Sequence, residues 1–265
     1  MTTLPSSTST HSSFRWAVSD VLTIARRNLM SLIRIPVAIV FMIIQPIMFV
    51  ILFRYVFGGV IIIPTASYVN YLIPGILVQT MIFGSVGTAI GLAEDLQKGL
   101  IERFRALPMA RLAVLAGRTI SDMFRNVIVL VIITGVGFLV GFRPGGGFVA
   151  YLQASLLMLL FAYCLSWGFA FIGLAAPNSE AAQAITFPII FPLTFASSIF
   201  VLVSSMPSWL QPFAINQPIS QTATAVRGLM LGTPHGQSTW ISLAWAVGTI
   251  LVLAPLAVNR YRKVA

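Results

Sequence analysis

Long apolar stretches without a charged side chain dominate the pattern of this sequence. Six stretches, the first between Arg34 and Arg54 and the last between Arg227 and Arg260, each hold 17 to 46 uncharged positions in a row. They are continuously apolar rather than alternating, which favours helices over the strands of a membrane barrel. About 20 apolar residues form a helix that crosses the hydrocarbon core of a bilayer. The pattern therefore predicts six transmembrane helices, near 36–57, 70–92, 120–142, 149–174, 184–203 and 238–259.

A different pattern precedes the first predicted span, over residues 14–34. Apolar side chains recur there at helical spacing, whereas Thr23, Arg26 and Arg27 fall largely on the opposite face. This arrangement is typical of a basic amphipathic helix that lies in the inner membrane interface. Such a helix either anchors the chain to the membrane or docks a cytoplasmic partner. Residues 1–13 are rich in Ser and Thr, and we expect them to form a disordered tail.

Composition places the chain in a membrane. Hydrophobic residues make up 58% of its 265 residues and charged residues only 8%, with a mean hydropathy of +0.95. A soluble domain carries about 25% charged residues, so a water-soluble fold of this length would lack the charge to cover its surface. The sequence therefore predicts an all-α integral membrane protein in which residues 35–265 form one six-span domain.

The charged residues are distributed unequally between the two sides of the predicted bundle. One set of loops holds all 6 acidic residues and most of the 16 basic ones, whereas the other set holds only Arg54, Arg143 and Arg227. Because basic loops stay in the cytoplasm, both termini are predicted to be cytoplasmic. The net charge of +10 then marks the cytoplasmic face, where it can hold anionic head groups of membrane lipid. It gives no support to nucleic-acid binding, since no basic soluble domain exists to carry it.

The cytoplasmic loop at 91–118 contains more than a simple connection needs. Glu94 and Lys98, like Lys98 and Glu102, are four positions apart and would support a short helix. Apolar side chains such as Phe104 stand among these charges. The mixture favours a contact surface for another protein over a solvated linker.

The outer loop at 204–238 is also unusual, because its only charged residue is Arg227. A loop this apolar predicts short re-entrant helices that dip into the outer leaflet and pack against the spans. Trp209 is expected to serve as an interfacial anchor of this segment.

Catalytic chemistry has few candidates in this chain. The sequence contains none of the motifs GxxxxGK[ST], HExxH or GxSxG, so it offers no nucleotide-phosphate loop, no zinc-protease helix and no hydrolase elbow. Its single cysteine, Cys164, excludes a disulfide within one chain. No carboxylate falls in the middle of a predicted span, where proton-coupled carriers need a relay. We therefore expect a chain that is not an enzyme and takes the energy for any transport from another subunit.

Four blocks of the sequence resemble the type-2 ABC export permeases, specifically their daunorubicin-resistance-like group. The blocks are QPIMFVILFRYVFGG at 45–59, YLIPGILVQTMIFG at 71–84, GLAEDLQKGLIERFRALPMARLAVLAGR at 91–118, and MPSWLQPFAINQPIS at 206–220 with VRGLMLG at 226–232. The third block carries the most specific spacing. Together with the six-span order, the resemblance covers the chain from about residue 15 and implies a multi-pass permease of the bacterial inner membrane.

The resemblance also implies partners and an energy source. A permease of this kind pairs with a second permease subunit, as a homodimer or a heterodimer, and with two copies of a cytoplasmic ABC ATPase subunit. ATP and Mg would bind to that ATPase, and this chain would bind no cofactor itself. The cargo would be a hydrophobic or amphiphilic compound, a drug or a lipid, exported from the cytoplasm or the inner leaflet.

The functional positions of the family can be placed on this sequence. A coupling helix that contacts the ATPase maps onto the loop after the second span, and a smaller coupling loop maps onto 175–182. The coupling residues that the resemblance implies are Glu94, Asp95, Lys98, Gly99, Glu102, Arg103, Arg105, Asn178 and Glu180. In such exporters the second and fifth spans line the substrate path, which here implies Gln79, Phe83, Thr186, Phe187, Phe191 and Phe195.

Simpler alternatives remain open for several of these residues and for the function. Gln79 and Thr186 would also be explained by hydrogen bonds to neighbouring helices, and the phenylalanines by packing. Pro188 and Pro192 are expected to kink or loosen the fifth span. The first alternative function is a permease for a lipid-linked glycan. Its path would need more polar and sugar-stacking groups than the predicted spans of this chain supply. A non-transporting membrane scaffold subunit is the second alternative.

Overall fold

The structure, a computed structural model, describes residues 13–34, 36–59, 61, 63, 67–100 and 113–264. Helices and loops make up this described chain, and no strand occurs within it. Four of its helices are long and apolar enough to cross a membrane. The all-helical class predicted from the apolar pattern is therefore confirmed.

Two helices lead into the bundle. α1, Ser13–Ile33, coincides with the predicted amphipathic segment, and its Ile24 is buried against the bundle. α2, Pro36–Ile51, begins with a proline, which suits the first turn of a helix because the missing N–H has no partner there. A six-residue π-helix, Leu52–Phe57, continues α2. Together the two helices cover the range 36–57 that the sequence indicates for the first span.

The centre of the bundle is α3, Tyr68–Gln97. It begins where the Ser67 side chain accepts a hydrogen bond from the Asn70 backbone N–H, at 3.4 Å. Of its most apolar 18-residue window, 72% is buried inside the protein. Gly99, with φ +62°, follows its end, and a left-handed residue of this kind commonly ends a helix.

Three further long helices complete the bundle with different degrees of burial; the first two pack against α3, and the third packs against the second. They are α4, Ala113–Leu139, α5, Gly147–Ala175, and, after the outer helices, α9, Gly236–Val264. Half of the apolar window of α5 is buried, compared with 33% for α4 and 17% for α9. An apolar helix left so uncovered by protein suits contact with lipid.

α6, Ser179–Phe195, ends eight residues before the predicted limit at residue 203. Pro188 and Pro192 remove backbone donors from this helix, and the chain leaves the helix at Ala196. At this end the Ala196 carbonyl oxygen accepts a 2.5 Å hydrogen bond from the Nε2 of Gln217, which lies between two later helices. A helix end inside the bundle is stable when its carbonyls find such partners.

The segment after α6 contains short helices on the outer side of the bundle. They are a 3-10 turn, Val203–Ser205, then α7, Gln211–Asn216, and α8, Pro218–Leu231. α8 ends at Gly232 with φ +72° and packs against α3, α5 and α9. Trp209 is 76% exposed, which leaves its ring available for the membrane interface.

A close crossing of α3 and α5 depends on Gly173. A Cβ atom at this position would lie 2.4 Å from the carbonyl oxygen of Ala89 and 2.8 Å from its Cα. Both are backbone atoms, so the two helices would have to separate to admit a side chain.

We expect Gly173→Ala to lower the thermal midpoint of the detergent-purified protein by several degrees. Overpacking of this kind costs about 1–3 kcal/mol, and about 2–4 °C accompanies each kcal/mol in a chain of this size. Gly248→Ala in α9 is the matched control, because nothing lies within 4 Å of its added Cβ. The assay monitors thermal unfolding by fluorescence-detected size-exclusion chromatography. Equal midpoints for the two variants would contradict a close crossing of α3 and α5 at Gly173.

Candidate functional site

A cavity of about 600 Å³ lies between α2, α3, α4 and α6. Aromatic rings form much of its wall: Phe49 of α2, Phe83 of α3, and Phe187 and Phe191 of α6. Among the described residues that line it there is no carboxylate, and the polar groups are Gln45, Gln79, Thr80, Arg125 and Asn126. Sites for small molecules have this composition, with apolar walls and a few placed polar groups.

Four of the six predicted path residues meet at this aromatic cavity. Gln79, Phe83, Phe187 and Phe191 line it. Thr186 is fully buried and Phe195 lies one turn further along α6, and neither is part of the cavity wall. α3 and α6, the two helices that the resemblance names, supply three of the four rings, and α2 supplies the fourth, Phe49.

The phenylalanines form a continuous row that leads out of the aromatic cavity. Phe83 meets Phe191 edge to face with ring centroids 5.6 Å apart, and Phe191 stacks on Phe195 at the same distance. Phe195 contacts Phe200 at 5.4 Å, and Phe200 stacks on Phe53 at 4.3 Å. These ring contacts join α3 and α6 to the π-helix that continues α2.

The two buried polar residues predicted for the path have unsatisfied atoms. Within the described chain, no partner is found for Gln79 Nε2 or Thr186 Oγ1, so the alternative of a bond to a neighbouring helix is not seen there. An unsatisfied buried group costs about 1–3 kcal/mol.

Ionic side chains join α1, α3 and α4 beside the aromatic cavity; we call Arg27, Asp95, Arg118, Asp122 and Arg125 the ion cluster. Asp95 lies 3.4 Å from Arg27 and 3.9 Å from Arg118, counted from carboxylate oxygen to guanidinium nitrogen. Asp122 lies 3.0 Å from Arg125 and accepts a 2.5 Å hydrogen bond from the Thr88 hydroxyl. Buried charges persist only when they are paired and hydrogen-bonded in this way.

α3 accommodates the ion cluster because glycines face it. Arg118 donates to the carbonyl oxygen of Gly87 at 3.0 Å, and Arg125 donates to that of Gly84. A Cβ on Gly91 would lie 1.6 Å from a nitrogen of Arg118. Sequence reasoning missed this arrangement, and the available signal was the glycine spacing at 84, 87 and 91 opposite the charges of α4.

The predicted coupling residues that the structure describes lie at the end of α3 and around the turn before α6. Glu94 and Lys98 are exposed and form a 2.5 Å ion pair, which raises the pKa of Lys98. Asn178 accepts a 2.7 Å hydrogen bond from Ala181 N and so caps α6, whereas Glu180 is exposed. Asp95, in contrast, is buried in the ion cluster. Three coupling residues, Glu102, Arg103 and Arg105, lie outside the described residues.

The structure places these two predicted coupling segments side by side. Ala93, which precedes Glu94, packs in one apolar cluster with Ala176 and Ala182, which flank the turn before α6. One protein surface can therefore contact both segments at once.

Arg227 of α8 is a further charge inside the bundle, half-buried, for which the sequence analysis proposed no role. Its Nε donates to the Tyr71 carbonyl oxygen at 3.0 Å and its Nη2 to that of Ser198 at 2.9 Å. The guanidinium also lies 3.5 Å from the centroid of the Tyr71 ring, a cation–π contact. Arg227 thus ties α8 to α3 and to the segment after α6.

Comparison with known proteins gives consistent matches along the chain. A family model described as ABC-2 type transporter matches residues 19–231. The daunorubicin resistance ABC transporter permease protein DrrB1 of Streptomyces coeruleorubidus is 36% identical over 93% of this chain and 87% of its own length. The probable doxorubicin resistance ABC transporter permease protein DrrC of Mycobacterium tuberculosis is 26% identical over 94% and 90%. The putative transport permease ycf38 of Cyanophora paradoxa is 24% identical over 84% and 77%.

The ion cluster predicts that two similar substitutions will differ greatly in effect. Asp122→Asn leaves Arg125 buried without its carboxylate, and breaking a buried pair costs about 3–5 kcal/mol. Glu94→Gln removes an exposed pair, which is worth about 0–1 kcal/mol. We expect thermal unfolding in detergent to show a fall of roughly 10 °C for the first variant and almost none for the second. Similar midpoints would show that the Asp122–Arg125 pair does not stabilise the bundle.

Proposed function

The chain belongs to the ABC-2 type transporter family, and we propose that it is the membrane subunit of an ATP-driven exporter for a hydrophobic or amphiphilic compound, a drug or a lipid. The aromatic cavity of about 600 Å³ is the observation that carries this proposal. An apolar compound gains free energy by leaving water for such a wall. The relatives named for daunorubicin and doxorubicin resistance support a cargo of this class.

The proposed arrangement in the membrane uses six spans. They are α2 with its π-helix, α3, α4, α5, α6 and α9, with α1 in the inner interface and α7 and α8 re-entrant from the outer side. The lengths of α3, α4, α5 and α9 support it, and so does the excess of basic residues on one side. Both termini then lie in the cytoplasm of a bacterial cell, and the chain in its inner membrane.

The proposed contact with the ATPase is formed by the adjacent coupling segments. Exposed Glu94, Lys98 and Glu180 supply its charges, while Asn178 fixes the turn by capping α6. Asp95 acts differently, since its bonds to Arg27 and Arg118 would pass a displacement of α3 on to α1 and α4. Glu102, Arg103 and Arg105 would extend the same contact, and Gly99 would let the chain turn into it.

The proposed assembly contains a second permease subunit and two copies of the ATPase, which binds ATP and Mg. One chain leaves part of the predicted path uncovered, because Phe191 and Phe195 are each 43% exposed on α6 and Met48 is 62% exposed on α2. A second permease, identical or different, would close this side and complete the passage for the cargo.

Phe191→Ala is expected to weaken stimulation of ATP hydrolysis by the cargo. The complex of permease and co-purifying ATPase would be reconstituted in nanodiscs and titrated with daunorubicin. Loss of one ring contact of about 1 kcal/mol predicts a roughly fivefold higher half-maximal concentration. Phe148→Ala is the control, because Phe148 is 81% exposed on α5 and does not line the aromatic cavity. Equal shifts of the half-maximal concentration in both variants would show that the aromatic cavity is not part of the cargo path.

Lys98→Glu is expected to reduce the amount of ATPase that co-purifies with the tagged permease. The change reverses a charge on the proposed contact surface and places it next to Glu94, so we expect a roughly fivefold lower yield, as interface charges are worth about 1 kcal/mol. Lys263→Glu makes the same change on an exposed lysine at the end of α9. If no ATPase co-purifies with the unmodified chain, the result favours the alternative of a non-transporting scaffold subunit over an exporter.

A further inference from the structure

We infer that a cavity at the outer end of the bundle binds the phosphate of an anionic phospholipid from the surrounding membrane. We call this cavity, lined by Asn70, Arg143, Ser198, Thr224 and Arg227 among others, the outer cavity. Its volume is about 540 Å³, and it shares no described lining residue with the aromatic cavity. The inference does not depend on the proposed cargo, and the proposed arrangement in the membrane decides only which leaflet supplies the lipid.

Two arginines supply the positive charge of the outer cavity, and both are held by backbone carbonyl oxygens. The contacts of Arg227 with α3 and with the segment after α6 are described above. Arg143 Nη1 donates to the carbonyl oxygens of Phe138 and Phe142, at 3.0 Å and 2.9 Å. A carbonyl group has no net charge, so each guanidinium is fixed in position but keeps its positive charge. Groups that are already fixed lose little further freedom when they bind a ligand.

No carboxylate is available at this end of the bundle to neutralise the two arginines. The described ion pairs use Glu94, Asp95 and Asp122, all toward the opposite end. The described lining of the outer cavity contains no acidic side chain, and all 6 acidic residues of the sequence fall on the predicted cytoplasmic side. Cations in a cleft with apolar walls attract anions from their surroundings. The counter-charge therefore has to come from outside this chain.

The surroundings of Arg143 favour a lipid over a dissolved anion as this counter-charge. Along the chain Arg143 stands between Leu139, which is 88% exposed, and Phe148, which is 81% exposed. Apolar side chains this exposed at the ends of membrane-length helices suit contact with acyl chains. A phospholipid can cover them while its phosphate accepts bidentate hydrogen bonds from guanidinium groups. A dissolved anion would leave the apolar side chains uncovered.

A lipid in the outer cavity places no restriction on the charge of the cargo. Its phosphate lowers the positive potential that Arg143 and Arg227 create at the outer end. A cationic cargo that leaves the bundle there would meet less repulsion than in a chain without the lipid. The lipid thus serves as a counter-ion of the permease and is not transported.

The test counts the lipids bound to the full-length permease by native mass spectrometry. The chain is purified in detergent and titrated with dioleoyl-phosphatidylglycerol or dioleoyl-phosphatidylcholine, which have the same acyl chains and differ in net charge. We expect phosphatidylglycerol to bind at least roughly tenfold more tightly, because no choline group neutralises its phosphate. Its affinity should fall as salt is added, since salt screens the attraction between exposed charges.

Thr224 offers a matched pair of variants. Its side chain is exposed, lines the outer cavity and stands three positions before Arg227 on α8, so the two are neighbours on the helix surface. Thr224→Glu supplies the missing carboxylate and should weaken phosphatidylglycerol binding at least roughly tenfold. Thr224→Gln occupies the same space without charge, and its affinity should stay within about twofold of the unmodified chain.

Removal of positive charge gives a second comparison. Arg143→Gln should weaken phosphatidylglycerol binding roughly fivefold, the factor that one basic residue contributes near an anionic membrane surface. Arg54→Gln is the control, because Arg54 belongs to the same set of predicted outer basic residues but does not line the outer cavity. Unchanged binding of phosphatidylcholine to Arg143→Gln shows that this variant is folded.

Four results would overturn the inference. They are equal affinity for the two lipids, equal losses in Thr224→Glu and Thr224→Gln, an equal loss in Arg54→Gln, or displacement of phosphatidylglycerol by its soluble head group, glycerophosphoglycerol, beyond the effect of ammonium acetate at equal ionic strength. The last result would assign the outer cavity to a free anion. None of them bears on the export function, which is tested separately by ATP hydrolysis that daunorubicin stimulates.

Discussion

A charge buried between apolar helices has to be neutralised inside the bundle, and the pairing of α3 with α4 follows from this constraint. Asp95 is shared by Arg27 and Arg118, and Asp122 is held by Arg125 and Thr88. Unpaired, any of these charges would cost several kcal/mol. The pairs hold α1, α3 and α4 in one register, because a shift of a few ångströms would separate them all. Glycine is required on α3 for the same reason, since any side chain there would occupy the space of the arginines.

The position of α3 then determines where the functional regions can lie. One face of α3 carries the glycines and the ion cluster, and other residues of the same helix, including Gln79 and Phe83, line the aromatic cavity. Its inner end continues directly into the exposed pair of Glu94 and Lys98. Its outer end is bonded to Arg227 through the Tyr71 carbonyl oxygen. A displacement at the proposed ATPase contact would therefore reach the cavity wall through a single rigid helix.

The sequence predicted the helical class and the approximate position of each apolar helix, because long uncharged runs leave few other folds. The end of α6 was not predictable in this way, since the segment 196–203 is as apolar as the helix before it. What ends the helix is distant in sequence: Gln217 satisfies the Ala196 carbonyl, and Arg227 that of Ser198. The ion cluster escaped prediction for a related reason, because the partners of Asp95 come from two other helices. The four cavity residues were reached through family resemblance, while the position of Arg125 in the same cavity wall appears only when α3 and α4 are packed together.

The same distribution of bonds indicates which helices can move during a transport cycle. In the described chain, α2 and its π-helix form no side-chain hydrogen bond or ion pair with another helix, and they meet the bundle through rings such as Phe49 and Phe53. Ring contacts are non-directional and can slide, whereas the pairs of Asp95 and Asp122 cannot be stretched without exposing charge. α6 is bonded mainly at its ends and carries two prolines in its middle. We therefore expect the passage to open by movement of α2 and the centre of α6 against a fixed core of α3 and α4. In that arrangement the aromatic cavity changes shape, and the ion cluster stays in place.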